Sequence, residues 1–446
     1  MSYIKIALST VVLLCFQSFG WAQIIVPVAG TGEIGFSNGS ATASKIRSPY
    51  GIAFDDNGNL YICDGGNHRL RKVSPAYPGI MTTIAGNGLS IYSGDNGPAT
   101  NASFSGIIDV TIDNKGNIYL ADLVDNRIRK ISPGGIISTI AGTGTAGYNG
   151  DGIAATAAQL NVPMSVKVDD TGNLYIADRE NYRVRKIDTF GMISTVVGTG
   201  NAGYTGDSGP AIAAHINGPV GIALDNAGAI FLSDSVRVRK VNATGIISTV
   251  AGNGLTGFIG DGGPATAASI EPAKIAVDNS GQLFIADGFN HRIRKVGIEG
   301  NISTIAGTGM AGDGGDWGDP LLAGVCAASG IAVNKDGDIY FSNQCGARVK
   351  MITNKDLASI RSEAMELPIM VVAPNPAFGT IRVTLAGQWA GLVKMTVTNE
   401  AGKVVSQFDG RSGTVTECPK GLRQGVYVIT ADDDNGCRVT EKVIVH

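Results

Sequence analysis

Residues 51–73 read GIAFDDNGNLYICDGGNHRLRKV, and this pattern returns five more times along the chain at intervals of 53 to 58 residues. In each copy a short apolar run meets a turn signal, here residues 55–58, and a β-rich run follows. This arrangement predicts a β-hairpin. A repeat of this length is typical of propellers and solenoids rather than of one compact core. The other copies begin at Asp109, Ser165, Gly221, Lys274 and Gly330.

The rest of each copy adds two more strands. In the first copy these are residues 69–73 and 82–85, and four antiparallel strands make one blade of a β-propeller. The sixth copy has no fourth strand after Ile352, but a matching stretch, IIVPVAG, stands at residues 24–30. We therefore predict an all-β, six-bladed propeller over residues 23–353, whose N-terminal strand completes the last blade. A solenoid, the alternative, would end in capping repeats instead.

Short motifs within the copies identify a family. Gly-Asn precedes the second strand, Tyr-Ile-Ala-Asp lies within it and Asn-His-Arg follows it, and the fifth copy fits best with Ala286, Asp287, Asn290, His291 and Arg292. These motifs resemble those of NHL repeats over most of residues 24–353. The resemblance implies a β-propeller. It leaves the function open, because propellers of this family bind proteins, RNA or glycans, and a few are lyases.

The first residues predict export. Lys5 precedes an apolar run, residues 6–16, and small residues follow, so we expect a signal peptide over residues 1–22 that is cleaved between Ala22 and Gln23. The apolar run is shorter than the ~20 residues that span a bilayer. We therefore predict a secreted or cell-surface protein with no transmembrane segment.

The C-terminal part of the chain predicts a second, smaller domain. Residues 354–367 read as a linker, and residues 368–446 show the alternating pattern of a small β-sandwich. The opening Pro374-Asn375-Pro376, the turn at Gly402-Lys403, residues 425–427 and the final KVIVH resemble a type A sorting domain of type IX secretion cargo. The resemblance implies export and a secretion machinery as partner. An ordinary adhesive sandwich is the alternative.

Strand direction predicts which loops share a face. In each blade the loop between strands two and three emerges beside the loop from strand four to the next blade, and we call this side the long-loop face. Two features of the long loops repeat around the ring, an aromatic side chain and an aspartate, and Met310 stands at the sixth aromatic position. The candidate ligand-binding residues are Phe36, Tyr92, Tyr148, Tyr204 and Phe258, and the weaker metal candidates are Asp95, Asp151, Asp207, Asp261 and Asp313.

These repeated side chains have two interpretations. The aromatics could stack on sugars or hold a peptide, and the aspartates could bind calcium. We predict no cofactor apart from this possible calcium. Alternatively, each aromatic anchors its loop to its own blade, and each aspartate caps a short helical turn. The structural interpretation is favoured, because one carboxylate per loop falls short of the ~6 to 8 oxygens that calcium takes.

Other functional classes fit less well. The chain has only His68, His215, His291 and His446, which disfavours a zinc-dependent lyase. Basic runs such as residues 69–72 begin five residues after an aspartate that ends strand two, so we predict aspartate–arginine pairs within blades. The net charge of −3 and export argue against nucleic acid as partner.

The cysteines predict two disulfides. Cys326 lies in a long loop and Cys345 in the strand two–three loop of the same blade, so we expect them to pair. Cys418 and Cys437 could pair in the C-terminal domain, which leaves Cys63 as a buried free thiol.

The leading functional prediction is a secreted or cell-surface propeller that recognises an extracellular glycan or protein through its long-loop face. The alternative is a metal-dependent lyase or hydrolase, lactonase-like, that uses the mouth of the propeller channel. No motif identifies catalytic residues for that alternative, so none is assigned.

Overall fold

A computed structural model describes residues 23–355 and, farther along, residues 369–373, 382–386, 393–411, 415–417, 422, 425–432 and 438–445. The predicted signal peptide with Ala22, most of the linker, Pro374-Asn375-Pro376, Cys418, Cys437 and His446 lie outside the described residues.

Between residues 24 and 353 the chain is almost entirely short strands, as the repeat predicts. Nine short 3-10 turns interrupt them in this part of the chain, at Ala41–Ala43, Gly65–Asn67, Ala99–Asn101, Ala155–Ala157, Arg179–Asn181, Ala211–Ala213, Ala265–Ala267, Gly288–Asn290 and Pro320–Leu322. The strands are β1 (Ile24–Ala29), β2 (Gly39–Ser40), β3 (Pro49–Phe54), β4 (Leu60–Asp64), β5 (Arg69–Val73), β6 (Ile80–Ala85), β7 (Ile107–Ile112), β8 (Ile118–Asp122), β9 (Arg127–Ile131), β10 (Ile137–Ala141), β11 (Ile153–Ala154), β12 (Pro163–Val168), β13 (Leu174–Asp178), β14 (Arg183–Ile187), β15 (Met192–Val197), β16 (Pro219–Leu224), β17 (Ile230–Asp234), β18 (Arg237–Val241), β19 (Ile247–Ala251), β20 (Ile275–Val277), β21 (Leu283–Asp287), β22 (Arg292–Val296), β23 (Ile302–Ala306), β24 (Ala328–Val333), β25 (Ile339–Asn343) and β26 (Arg348–Thr353).

Each repeat copy forms one antiparallel sheet. Sheet 1 holds β3 to β6, sheet 2 holds β7 to β10, sheet 3 holds β12 to β15, sheet 4 holds β16 to β19 and sheet 5 holds β20 to β23. The two-residue strands β2 and β11 extend sheets 1 and 3. Within residues 23–355 the sheets are separate, and no strand ladder joins them into a barrel. This all-β, propeller-like architecture is the one that the sequence predicts.

Sheet 6 combines both ends of this region. It has the order β1-β26-β25-β24, and β1 pairs antiparallel with β26, with Ile24 opposite Thr353 and Val26 opposite Met351. The prediction that the N-terminal strand replaces the missing fourth strand is confirmed. Ile25 and Val26 are fully buried, so the pairing also places apolar side chains in the core.

The hydrophobic core lies between neighbouring sheets. The innermost strands contact one another in chain order, and β24 of sheet 6 lies beside β3 of sheet 1. Ser329 Oγ donates a hydrogen bond of 2.9 Å to the carbonyl of Pro49 across this junction. Each apolar cluster joins residues of adjacent sheets, for example Ile52 and Leu60 with Val349. Burial of alternate strand residues between sheets is therefore the main stabilising contribution.

The C-terminal region forms two further sheets, which fits the predicted sandwich. The strands are β27 (Ile369–Ala373), β28 (Arg382–Ala386), β29 (Val393–Asn399), β30 (Val404–Gly410), β31 (Val415–Glu417), β32 (Gly425–Asp432) and β33 (Arg438–Val445). One sheet has the order β27-β28-β31 and the other β30-β29-β32-β33. Val393, Met395 and Val397 are buried at alternate positions of β29.

The role of β1 can be tested with a matched pair of isoleucines. Ile25→Asp buries a carboxylate in the core, whereas Ile34→Asp changes a side chain that is 67% exposed. We expect Ile25→Asp to lower the free energy of unfolding by about 3 kcal/mol or more and Ile34→Asp to change it by less than about 0.5 kcal/mol. Thermal unfolding measures both, and equal midpoints for the two variants would contradict the role of β1.

Candidate functional site

The two classes of loop meet on the long-loop face, as predicted. Asn67, in the loop between strands two and three, donates to the carbonyl of Gly35 at 2.6 Å, and Asn181 donates to that of Gly147 at 2.7 Å. Gly35 and Gly147 belong to the long loops that precede the same sheets. These hydrogen bonds hold the long loops in place.

Buried aspartate–arginine pairs lie beneath this face. Asp64 accepts hydrogen bonds from the backbone N–H of Arg47 at 2.7 Å, from Asn67 at 2.9 Å and from Arg71 at 2.9 Å. The side chains of Asp64 and Arg71 are both fully buried. The predicted pairing is confirmed here and in three other sheets, by Asp178–Arg185, Asp234–Arg239 and Asp287–Arg294. The basic runs therefore have a structural role.

Sheet 2 departs from this pattern because Asp125 stands where sheets 1, 3 and 5 have asparagine. Ser105 Oγ donates to Asp125 at 2.9 Å, while one oxygen of the neighbouring Asp122 is buried without a hydrogen-bond partner. Burial, together with the charge of Asp125, raises the pKa of Asp122 to about 7. The negative charge of Asp125 thus disfavours ionisation of the buried Asp122 beside it.

This local conflict predicts a stabilising substitution. Asp125→Asn supplies the amide that donates to the equivalent aspartates, so we expect it to raise the free energy of unfolding by about 1 kcal/mol at pH 7. Because the pKa of Asp122 is raised to about 7 in the folded protein, the wild-type protein loses stability as the pH rises from about 4 through that value. The gain should therefore be larger at pH 8 than at pH 5. The reverse change in sheet 1, Asn67→Asp, should destabilise, and a gain independent of pH would contradict this interpretation.

The five predicted aromatics lie against arginine side chains. Each ring covers the first arginine of strand three in the sheet that follows its loop, at 3.7 to 4.0 Å from the guanidinium carbon to the ring centroid. The rings remain 36% to 47% exposed. The interpretation that they anchor their loops gains support. The pairs are Phe36–Arg69, Tyr92–Arg127, Tyr148–Arg183, Tyr204–Arg237 and Phe258–Arg292.

The loop aspartates form ion pairs, and the prediction that they cap helical turns is wrong for four loops. In those loops Pro98, Ala154, Pro210 and Pro264 precede the 3-10 turns, which have no side-chain cap. The carboxylates instead turn toward the second, buried arginine of strand three. The pairs are Asp95–Arg129 at 2.6 Å, Asp151–Arg185 at 2.9 Å, Asp207–Arg239 at 2.6 Å and Asp261–Arg294 at 2.7 Å.

The sixth loop requires a further correction. The backbone N–H of Trp317 donates to the carbonyl of Ile25, as Ser208 does to Ile247, so Asp316 and not Asp313 corresponds to Asp207. Asp313 takes the position of the missing aromatic, three residues after Met310. Both carboxylates form ion pairs with the cations of β26, Arg348 and Lys350.

These contacts bear on the calcium prediction. Every candidate carboxylate is already matched by an arginine or lysine, and the residues that the structure describes contain no group of three or more histidine, cysteine or acidic side chains that could hold a metal ion. Oxygen-rich ligand sets are what calcium prefers. Calcium binding therefore stays a prediction of the sequence to which this geometry adds no support.

A second set of polar residues fills the channel between the innermost strands. Asp109, Ser165 and Lys274 occupy the first position of their repeat copies, where the other three copies have glycine. Asp109 accepts a hydrogen bond from Ser165 Oγ at 2.5 Å and lies 3.2 Å from Lys167 Nζ and 3.4 Å from Lys274 Nζ. Lys274 also donates to the carbonyl of Val220 at 3.0 Å, so it joins sheets 5, 4 and 2.

This channel cluster favours a structural role. Burial lowers the pKa of Lys274 to about 8, although the carboxylate of Asp109 opposes the shift. One carboxylate and two ammonium groups differ from the several carboxylates and amides that a calcium-dependent, lactonase-like site requires. This cluster was not predicted from the sequence, although the polar residues that replace glycine at these first positions of the repeat were a signal for it.

The channel cluster predicts a stability effect with a defined pH dependence. Asp109→Asn leaves Lys167 and Lys274 without their carboxylate, so we expect a loss of about 3–5 kcal/mol at pH 7. Burial raises the pKa of Asp109, but the ammonium groups of Lys167 and Lys274 outweigh burial and hold this pKa below its usual value. Its stabilisation is therefore lost as the pH falls below about 4. Urea unfolding of Asp109→Asn and of the exposed control Asp170→Asn measures this, and equal stability of the two variants would contradict it.

Cysteine pairing is confirmed for the propeller region. Cys326 and Cys345 form a disulfide that joins the sixth long loop to the loop between β25 and β26. Cys63 is a buried free cysteine, as predicted.

Comparison with known families agrees with this architecture. A model of the NHL repeat matches residues 47–73, and a model of the teneurin NHL domain matches residues 144–204 and 199–258. A model of the secretion system C-terminal sorting domain matches residues 371–446. The chain thus contains NHL-type repeats and a C-terminal sorting domain of type IX secretion. The sorting domain indicates a secreted or cell-surface protein. Its assignment to type A remains a prediction.

Curated proteins match part of this chain. Human (Homo sapiens) Teneurin-1 is 28% identical over an alignment of 360 positions, and the match covers 71% of this chain and 12% of that protein. Protein SUPPRESSOR OF QUENCHING 1, chloroplastic, from Arabidopsis thaliana is 29% identical over an alignment of 290 positions, and the match covers 61% of this chain and 27% of that protein. The chain therefore spans only a minor part of either relative.

Solved structures share the fold. A protein of unknown function from Bacteroides thetaiotaomicron superposes with a TM-score of 0.56 at 17% identity, and 74% of this chain covers 76% of that chain. An auxiliary nutrient binding protein from the same organism has a TM-score of 0.55 at 12% identity, with the same coverage. Among the residues that the structure describes, no helix is long and apolar enough to cross a membrane.

One more feature of the long-loop face breaks the symmetry of the NHL repeats. Near the start of four consecutive loops around the ring, those before sheets 5, 6, 1 and 2, six aliphatic or thioether side chains are each 55% to 73% exposed. Two other exposed aliphatic residues, Ile212 and Leu322, lie later in their loops, in the 3-10 turns. The loops before sheets 3 and 4 have Thr145, Asn149, Asn201 and Thr205 at matching positions. We call the exposed set the apolar arc. It consists of Ile34, Leu89, Ile91, Leu255, Ile259 and Met310.

Proposed function

We propose that this protein is a binding protein, secreted or displayed at the cell surface, whose long-loop face holds a protein partner. The observation that carries the proposal is the apolar arc. Several large apolar side chains exposed on one face of a protein are candidates for an interaction surface. The sorting domain provides the export that an extracellular partner requires.

The composition of the long-loop face favours a protein over a glycan. Leucine, isoleucine and methionine side chains make no directional contact with the hydroxyl groups of a glycan. Methionine, aromatic and arginine side chains, which all occur on this face, are enriched in protein interfaces. The aromatics next to the arc, such as Phe36 and Phe258, each already cover an arginine side chain with one ring face. Their exposed parts would extend the apolar contact.

The geometry beneath the arc supports a rigid surface. Tyr92 donates to Asp95 at 2.7 Å, and Asp95 accepts from Arg129 at 2.6 Å, so the second long loop is tied to sheet 2. A pre-organised surface loses little conformational freedom on binding, which favours affinity. The structural neighbour that is described as a nutrient binding protein is consistent with a binding function, although likeness at 12% identity concerns the fold.

Site-specific photo-crosslinking tests the proposal with a control that the repeat supplies. p-Benzoylphenylalanine replaces Leu89 or Leu255 on the arc, and Thr145 or Asn201 at the same position of the polar loops, in the full chain expressed by its native host. We expect irradiation to give a discrete protein adduct from positions 89 and 255 and none from positions 145 and 201. Equal adducts from all four positions, or adducts from the polar loops alone, would contradict the proposal.

A second set of variants separates recognition from folding. Leu89→Thr and Leu255→Asn introduce the residues of the polar loops, and both sites are exposed, so the midpoint of thermal unfolding should stay within a degree or two. Crosslinking from position 310 should then fall at least tenfold in the double variant. Glycan-array binding that survives the double variant, with crosslinking unchanged, would favour a glycan partner instead.

A further inference from the structure

A cavity of about 530 Å³ lies between sheets 1 and 6, on the face opposite the long-loop face. It opens among the turns that join strands one and two and strands three and four. Its apolar walls include Phe54, Tyr77, Tyr340 and Met351. We call it the seam pocket, because it lies where the first and last sheets meet. A cavity of this volume matches the range of small-ligand sites.

The first departure from the repeat at this pocket concerns strand three. In sheets 1 to 5 a lysine of strand three lies over the aromatic of strand two, for example Lys72 at 5.8 Å from the centroid of Tyr61 and Lys240 at 4.7 Å from that of Phe231. In sheet 6 the residue opposite Tyr340 is Met351. An apolar thioether therefore stands in the pocket wall where the other sheets carry an ammonium group.

The second departure is an additional aromatic. Phe54 ends β3, and the other five sheets end the same strand with an aliphatic residue, Ile112, Val168, Leu224, Val277 or Val333. Phe54 packs edge to face on Tyr340, with ring centroids 4.8 Å apart. This aromatic pair joins sheet 1 to sheet 6 and forms one wall of the pocket.

The third departure is a longer turn. Met81 lies opposite Val73 in sheet 1, eight residues along the chain, whereas the matching partners in sheets 2 to 5 are six residues apart. The two extra residues extend the turn over the cavity, where Pro75 and Tyr77 line it. Tyr77 packs edge to face on Trp317, with centroids 5.8 Å apart, which fixes its orientation.

The rim of the seam pocket carries charges of both signs. Asp56, Asp336, Lys335 and Lys355 line it together with the amide of Asn57. Lys355 Nζ lies 3.3 Å from Asp336. A strongly anionic or cationic ligand would meet like charges on this rim, whereas hydroxyl groups can donate to the carboxylates and accept from the ammonium and amide groups.

We propose that the seam pocket binds a short oligosaccharide of one or two pyranose rings. The C–H faces of the sugar contact the aromatic walls formed by Phe54, Tyr77 and Tyr340, and its hydroxyl groups exchange hydrogen bonds with the rim. Three separate departures from the repeat converge on this single cavity, and each adds an apolar or aromatic wall. This site is independent of the apolar arc, which lies on the other face.

Calorimetric titration of the full mature chain tests the proposal. The probes are cellobiose, maltose and N,N′-diacetylchitobiose, with the apolar dye 8-anilinonaphthalene-1-sulfonate as the contrasting ligand. We expect saturable binding of at least one disaccharide. Phe54→Val, which restores the residue of sheets 3, 5 and 6, should weaken that binding about tenfold by removing the aromatic wall. The matched control Ile112→Val, at the same position of sheet 2, should leave it unchanged.

Met351→Lys provides a second variant, since it places an ammonium group in the wall where sheets 1 to 5 carry one. It should also weaken disaccharide binding while crosslinking from the apolar arc continues unchanged. Failure of all three disaccharides to bind, binding of the dye alone, or binding that persists in both variants would overturn the proposal. None of these outcomes alters the crosslinking result, so the two proposals fail separately.

Discussion

The pairing of Ile24–Ala29 with Arg348–Thr353 is the constraint on which the rest of the propeller depends. It gives sheet 6 its fourth strand, and it places Ile25 and Val26 in the core between the first and last sheets. A strand edge left unpaired here would expose backbone groups and apolar surface at the junction of the ring. Because the two strands are more than 300 residues apart, this contact also carries a large entropic cost of loop closure.

Buried ion pairs between arginine and aspartate hold the long loops against the sheets. In sheets 3, 4 and 5 the second arginine of strand three is fully buried, and its two carboxylate partners come from the sheet itself and from the preceding long loop. Arg185, for example, lies 3.5 Å from Asp178 and 2.9 Å from Asp151. Such a pair contributes little net stability, but removal of one partner is costly, so these contacts fix the loop geometry. The backbone of the long-loop face is consequently fixed by these ion pairs, and the exposed side chains on it can vary.

Much of the fold could be predicted from the sequence because its signals are local and repeated. The third strand of the first copy begins at Arg69 and ends at Val73, as the repeat predicts. The disulfide Cys326–Cys345 could be predicted from the positions of the two cysteines in neighbouring loops. The aspartate roles could not be predicted in the same way. Asp95 lies near a helical turn in sequence, but its partner Arg129 is 34 residues away, and local capping patterns carry no information on such contacts. The seam pocket likewise joins Phe54 and Tyr340, which are distant in sequence.

Departures from the repeat therefore carry most of the functional information, and the apolar arc is the departure to which we assign partner contact. Hydrogen–deuterium exchange on the full chain, with and without the partner that crosslinking identifies, shows whether the arc is that contact surface. We expect slower exchange in the loops at residues 30–36, 86–92, 252–259 and 307–310, and unchanged exchange at residues 142–149 and 198–205. Slower exchange confined to the latter two loops would contradict it.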